Sequence, residues 1–120
     1  MRRVSIVLGV AMSAATVTPV FSADVEHGRT LFAACAACHQ EKPDALGPSL
    51  KGVLGRRSGA LEDFRYSNPM KRANLVWDEA ALREYIADPQ AKVKGNRMPY
   101  DGLHDPKDVD DIVEYIKTYK

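Results

Sequence analysis

Hydrophobic side chains recur at helical spacing in two segments of this chain, one near each end of residues 24–120. The first segment follows Asp24, which suits the N-cap of a helix because its carboxylate can accept a backbone hydrogen bond. Its apolar positions on or near one side are Val25, Leu31, Phe32 and Cys35. The second segment opens with Asp105 as its cap and Pro106 in its first turn. Its apolar positions are Val109, Ile112, Val113 and Ile116.

Between these segments the pattern predicts one short helix and two loops. The helix covers residues 78–87, with Asp78 as its cap, and Asp88-Pro89 is its stop signal. Glycine and proline mark a loop over residues 41–60, and a second loop covers residues 90–104. Because no pair of segments shows convincing strand alternation, we predict an all-α fold.

Residues 1–23 have the pattern of an export signal, with two arginines, an apolar run and then small residues. Cleavage after Ser22 would place Val20 and Ser22 at the two recognition positions, and cleavage after Ala23 is the alternative. Either site leaves residues 24–120 as one domain. A retained membrane anchor is the other interpretation, but the apolar run is short for a span of about 20 residues. Export predicts a periplasmic protein.

The net charge of the domain bears on whether it binds nucleic acid. The chain has 17 basic and 16 acidic side chains, and two of the arginines lie in the signal segment, so the domain is close to neutral. A nucleic-acid-binding domain normally carries a clear excess of basic residues. We therefore expect no nucleic acid partner.

The most informative motif is the pentapeptide Cys35-Ala36-Ala37-Cys38-His39, which contains the only two cysteines of the chain. This spacing is typical of c-type haem attachment, in which two thiols form thioethers and the next histidine binds the iron. A redox dithiol or half of a zinc site are the alternatives. The chain has no second cysteine pair for zinc and no strand–helix alternation of the thioredoxin kind. A covalently bound haem c is the predicted cofactor.

A six-coordinate haem needs a second axial ligand opposite His39. The candidates in the domain are Met70, Met98, His27 and His104. Met98 lies in a glycine-containing loop late in the chain, and a thioether there would favour ferrous iron. A lone methionine is also common core filler, so the residues alone leave the choice open.

A wider set of positions matches one family over nearly the whole domain. In the first half these are Gly28, Phe32, the haem motif, Gly47-Pro48, Gly55-Arg56 and Gly59. In the second half they are Phe64, Tyr66, Trp77, Tyr85, Asp88-Pro89, Gly95, Met98, Gly102, Ile112, Tyr115 and Ile116. In these residues the chain resembles class I cytochromes c. The resemblance implies three to five helices around one covalently bound haem, with the first and last helices crossing.

The resemblance also assigns roles to residues around the haem. It implies that Met98 is the second axial ligand and that the carbonyl of Pro48 accepts a hydrogen bond from His39, which orients the ring. Tyr85 would lie near the methionine sulfur. The residues implied to hydrogen-bond a buried haem propionate are Arg56, Tyr66 and Trp77.

Three further features lie in the first helix and in two loops. Gly28 costs about 1 kcal/mol inside a helix relative to alanine, and the resemblance explains it by packing against Tyr115 in the last helix. The loop between His39 and Pro48 is three residues shorter than in mitochondrial relatives. In the loop before the methionine, Asn96 replaces a threonine and can still donate hydrogen bonds.

The function that follows is a single-electron carrier between redox proteins, acting as a monomer and not as an enzyme. Its donor and acceptor are unidentified, and it meets membranes only through membrane-bound partners. One alternative is a five-coordinate haem protein that binds a gas or peroxide. The other is an electron-entry subunit bound tightly to one dehydrogenase, for which the sequence shows no clear apolar patch.

Overall fold

A computed structural model describes residues 2–16 and 22–120, and its secondary structure is helical. The helices are α1 Val25–Ala36, α2 Asn68–Arg72, α3 Glu79–Ala87, α4 Pro89–Lys92 and α5 Pro106–Thr118. The β pairing in this part of the chain is an isolated bridge between Arg57 and Val76. The predicted all-α class is confirmed.

The helix starts follow from short polar side chains. Asp24 accepts a hydrogen bond from the backbone N–H of His27, and Asp78 and Asp105 cap α3 and α5 in the same manner. The three predicted helices are therefore confirmed, with their caps. Ser67 caps the short helix α2, which the sequence pattern did not reveal.

The predicted stop at Asp88-Pro89 is also a start, and this corrects the loop expected over residues 90–104. Asp88 ends α3 in an extended conformation, and its carboxylate then accepts from the N–H of Ala91. Pro89 fits the first position of α4 because the missing N–H of proline is not needed there. The chain thus turns into a second short helix.

The first and last helices pack closely, as the resemblance implies. A Cβ on Gly28 would lie 2.0 Å from the carbonyl oxygen of Asp111 and 3.0 Å from the Cβ of Tyr115. One turn further along α1, the ring centroids of Phe32 and Tyr115 are 5.1 Å apart. The glycine is therefore required by backbone contact between α1 and α5. The core formed around this contact includes Phe32, Trp77, Leu82, Ile86, Val109, Ile112, Val113 and Ile116.

Residues 2–16 carry no helix or strand, and their apolar side chains are exposed. Val20, predicted to lie at a cleavage recognition position, falls in residues 17–21 and so outside the described part of the chain. None of the helices in the described ranges combines the length and apolar content needed to span a bilayer.

A buried carboxylate fastens the start of α1 to α5. The Asp111 side chain is 1% exposed, and its oxygens accept from Lys107 Nζ at 2.6 Å, from the backbone N–H of Asp24 at 2.7 Å and from His27 Nδ1 at 2.8 Å. These donors hold the pKa of Asp111 well below its usual range. The hydrogen bond to Asp111 raises the pKa of His27, and Asp108 and Asp24 add to the rise.

This contact predicts a pH-dependent stability. A raised pKa means that protonated His27 stabilises the fold; that contribution is complete below 6.5, the ordinary histidine value, and disappears as pH rises through the folded-state value. The lowered pKa of Asp111 gives a contribution that is complete above 3.8 and is lost only on strong acidification. We expect the difference in melting temperature between the parent and His27→Gln to be largest below pH 6.5 and to shrink as pH rises above it, because the folded-state pKa of His27 is raised.

Thermal unfolding of the haem-loaded proteins measures this difference. His104→Gln is the matched control, because His104 is exposed and its ring contacts only the carbonyl of Asp101, at 3.3 Å. A difference for His27→Gln that stayed constant or widened with pH would contradict the assignment.

Candidate haem site

The cysteine motif lies where α1 ends. Cys35 belongs to the last turn of the helix, and its carbonyl accepts from the backbone N–H groups of Cys38 at 3.1 Å and His39 at 2.9 Å. Both thiols are unbonded and half-buried. Burial raises the pKa of Cys35, whereas a reactive redox dithiol requires a lowered pKa. The raised pKa of Cys35 therefore does not favour dithiol chemistry.

The imidazole of His39 is oriented by the neighbouring loop. Its Nδ1 lies 2.7 Å from the carbonyl oxygen of Pro48, so Nδ1 carries the proton and Nε2 keeps a lone pair for a metal. Burial lowers the pKa of His39, against a smaller opposing effect of the Pro48 hydrogen bond, and this favours the neutral, ligating form. A Cβ on Gly47 would lie 2.6 Å from the ring, which explains the glycine beside it.

The loop that carries Met98 is fastened by Asn96. This asparagine is 7% exposed, and its amide donates to the carbonyls of Pro89 at 3.0 Å and Val93 at 2.8 Å. Its side-chain oxygen accepts from the backbone N–H of Met98 at 2.9 Å. Asn96 therefore fixes the backbone of Met98 against α4.

Gln90 completes the fastening, and sequence reasoning missed it. Its amide donates to the carbonyl of Asn96 at 2.9 Å, and its oxygen accepts from the N–H of Gly95 at 3.0 Å. Gln90 belongs to α4, and no pattern in the sequence indicates that its side chain would contact the following loop. The sequence signal that could have indicated a tight turn here is Gly95, whose φ is 86° in the structure.

Tyr85 lies beside the methionine sulfur, and Trp77 packs against Tyr85. The hydroxyl of Tyr85 is 3.8 Å from Met98 Sδ, and its ring meets the ring of Trp77 edge to face at 5.0 Å. Burial raises the pKa of Tyr85 to about 12, so the phenol stays protonated and can donate. Further along, burial raises the pKa of Tyr100, and the nearby Cys35 adds to the rise.

The other candidate axial ligands have different surroundings. Met70 packs against the hydrophobic core from α2. His27 is engaged by Asp111 at the start of α1, and His104 contacts the carbonyl of Asp101. Among these four candidates, Met98 is the one whose potential ligand atom, Sδ, lies next to the hydroxyl of Tyr85.

The residues implied to hold a propionate contact the loops around the motif. The guanidinium of Arg56 donates to the carbonyls of Ser49 at 2.6 Å and Lys51 at 2.5 Å. The hydroxyl oxygen of Tyr66 accepts from the N–H of Leu61 at 3.2 Å. Trp77 is 8% exposed and belongs to the core.

The set of donor atoms fits one c-type haem. Two unbonded thiols at the required spacing, a neutral imidazole with a free Nε2 and a fixed thioether match the attachment and axial chemistry of such a group. Zinc is not supported: among the described residues, the group of three or more clustered candidate ligands is His27, Asp108 and Asp111, and it includes neither cysteine.

We predict that Asn96→Ala lowers the free energy of unfolding of the haem-loaded protein by about 1–3 kcal/mol, because it leaves the backbone N–H of Met98 without its acceptor and removes one of two hydrogen bonds from each of the carbonyls of Pro89 and Val93. Denaturant unfolding measures this loss. Asn68→Ala, at an exposed position in α2, is the matched control and should change stability little. Equal stability of Asn96→Ala and its control would show that the amide does not fix the loop.

Comparisons with known proteins agree in one family. The family model described as Cytochrome c matches residues 25–120. The chain is 39% identical to cytochrome c2 of Blastochloris viridis, over 95% of this chain and 92% of that one. It is 43% identical to cytochrome c2 iso-2 of Magnetospirillum molischianum, over 82% and 100%. Among solved structures, it is similar to cytochrome cH from Methylobacterium extorquens, with 43% identity, a TM-score of 0.75 and coverage of 79% and 98%.

Proposed function

Because this chain belongs to the cytochrome c family, we propose that it carries single electrons between redox proteins through one haem c bound by its own Cys35 and Cys38. The bound haem supplies a reversible one-electron iron couple. His39 and Met98 would hold the iron, and the protein acts as a carrier, without catalysing a reaction of its own.

The observation that supports this function best is the separate fixation of both axial donors. Pro48 holds the imidazole of His39, while Asn96 and Tyr85 hold the backbone and the sulfur of Met98. Two fixed donors leave no open position for a gas or peroxide, and they keep the ligand geometry the same in both oxidation states. The arrangement favours electron transfer over the five-coordinate alternative.

We also propose that Arg56, Tyr66 and Trp77 hold a haem propionate. Arg56 uses two donors on backbone carbonyls and has five in total. The hydroxyl of Tyr66 accepts one hydrogen bond and keeps its own proton for donation. A buried propionate needs such donors, because an unpaired charge in an apolar site is costly.

The axial assignment predicts different effects for two methionines. Met98→Ala should abolish the sulfur-to-iron absorption band of the ferric protein and lower the midpoint potential, because a thioether ligand favours ferrous iron. Met70→Ala is the matched control; it should keep the band and lose stability only, by about 0.5–3 kcal/mol, because Met70 is partly buried against the core. Optical spectra and redox titration of both variants provide the measurement.

The opposite pattern would contradict the assignment. A band that survives in Met98→Ala and disappears in Met70→Ala would move the ligand to α2. Retention of the band in both variants would exclude methionine ligation and favour the five-coordinate alternative.

We further propose export through residues 1–23 and a periplasmic location, with residues 24–120 as the mature monomeric domain.

Residues 51–97 hold ten basic and six acidic side chains, whereas residues 98–120 hold three basic and six acidic ones. Such an uneven distribution orients a near-neutral protein in the field of a charged partner. Basic residues near Met98 suit an acidic surface on the redox partner.

Three basic residues shortly before Met98, which are Lys92, Lys94 and Arg97, differ in their contacts. Lys92 Nζ is paired with the carboxylate of Glu84, and Arg97 donates to the carbonyl of Arg65 at 2.6 Å. Lys94 is exposed. The charge of Lys92 is therefore partly neutralised within the protein, while that of Lys94 projects from the loop.

We predict that Lys94→Gln slows second-order electron transfer with an acidic partner several-fold at low ionic strength, and that Lys92→Gln slows it less. Stopped-flow rates over a range of salt concentrations measure both effects. The difference should vanish at high salt, because charges are screened beyond about 3 Å at 1 M ionic strength. A parent rate that is independent of salt would remove the support for electrostatic steering.

A further inference from the structure

Glu41 joins three parts of the chain through one carboxylate. The hydroxyl oxygen of Ser49 lies 2.7 Å from each of its two oxygens, and its single proton is donated to this carboxylate. The hydroxyl of Tyr119, just after α5, lies 3.3 Å from Oε1. Glu41 itself follows His39 by two residues, in the shortened loop. The carboxylate therefore connects the loop after His39 with the segment after Pro48 and with the end of the chain.

Ser49 is the residue that controls the orientation of the Pro48 carbonyl. The carbonyl of Pro48 and the nitrogen of Ser49 belong to one planar peptide group, so a fixed Ser49 restricts rotation of that carbonyl. Three hydrogen bonds hold Ser49. Its Oγ donates to Glu41 and accepts from the N–H of Lys51 at 3.2 Å, and its carbonyl accepts from Arg56 at 2.6 Å. The same carbonyl of Pro48 accepts from His39.

Tyr119, just after α5, contacts both the loop that follows Ser49 and the helix α1. The carbonyl of Tyr119 accepts from the N–H of Gly52 at 2.8 Å, and the ring centroids of Tyr119 and Phe32 are 5.1 Å apart. The loop that follows Ser49 is thereby attached to both helices of the α1–α5 pair. Glu41 lies at the outer side of this attachment, where its side chain is exposed to solvent.

We propose that Glu41 is a positioning residue for His39: through Ser49 it keeps the Pro48 carbonyl on Nδ1, and its charge favours the oxidised site. This inference rests on the proposed function. A firm acceptor on Nδ1 makes the imidazole a stronger donor to the metal, which stabilises the higher oxidation state. A carboxylate close to the ligand acts in the same direction through its negative charge. Both effects lower the midpoint potential.

Three variants separate the hydrogen bond from the charge. Ser49→Ala removes the donor and leaves the carboxylate, whereas Glu41→Gln removes the charge and keeps one acceptor oxygen. Ser49→Thr keeps the hydroxyl and should restore the parent behaviour. Glu26→Gln is the charge control, because Glu26 precedes Cys35 by nine residues in α1, about 14 Å along the helix axis.

The measurements are the midpoint potential of the haem-loaded protein and the exchange rate of the His39 Nδ1–H with deuterium, followed by NMR in the reduced state. We expect Ser49→Ala and Glu41→Gln to shift the potential to more positive values and to accelerate exchange. The acceleration should be greater for Ser49→Ala. Ser49→Thr and Glu26→Gln should retain the parent potential and exchange rate.

Parent values of both quantities in Ser49→Ala would overturn the proposal, even if Glu41→Gln shifted the potential, because the carboxylate would then act as a charge alone. If Ser49→Ala did not retain haem, exchange in Glu41→Gln decides: faster exchange supports the proposal and an unchanged rate overturns it. A parent protein without covalent haem or a reversible couple would overturn the proposed function together with this inference. A normal parent with unaffected variants would overturn this inference alone.

Discussion

The contact between α1 and α5 at Gly28 is the constraint on which the haem site depends. The carbonyl oxygen of Asp111 occupies the space that a Cβ on Gly28 would need, so the two helix backbones meet directly. The buried carboxylate of Asp111 fastens the same pair at its N-terminal end. Because Cys35 belongs to the last turn of α1, the position of the thiols and of His39 follows from this packing.

The two proposed axial donors come from different parts of the chain and are fixed by different means. His39 follows α1 directly and is held by one carbonyl, that of Pro48. Met98 lies in a loop without regular structure and is held by the side chains of Asn96 and Tyr85. The end of α1 would thus supply the covalent attachment, while hydrogen bonds across loops would set the geometry of the ligands. This division explains how a domain rich in loops can still keep its ligands fixed during electron transfer.

Sequence predicted the helices with strong periodicity and clear caps, α1, α3 and α5, and it predicted the haem motif, because these features depend on neighbouring residues. It missed α4, since Asp88-Pro89 is both a stop and a start. Gln90 and Glu41 act through contacts set by loop geometry, which no local pattern encodes. Long-range hydrogen bonds are therefore the part of the site that required the structure.

The central claim is that Cys35 and Cys38 bind one haem covalently. Its most direct test is the intact mass of the purified, acid-denatured protein, produced in cells that can attach haem, followed by digestion and mass measurement of the fragment that contains residues 35–39. The account predicts a chain heavier than its polypeptide by one haem, with the whole excess on that fragment. A denatured chain of unmodified mass, or haem that extracts into organic solvent, would contradict it.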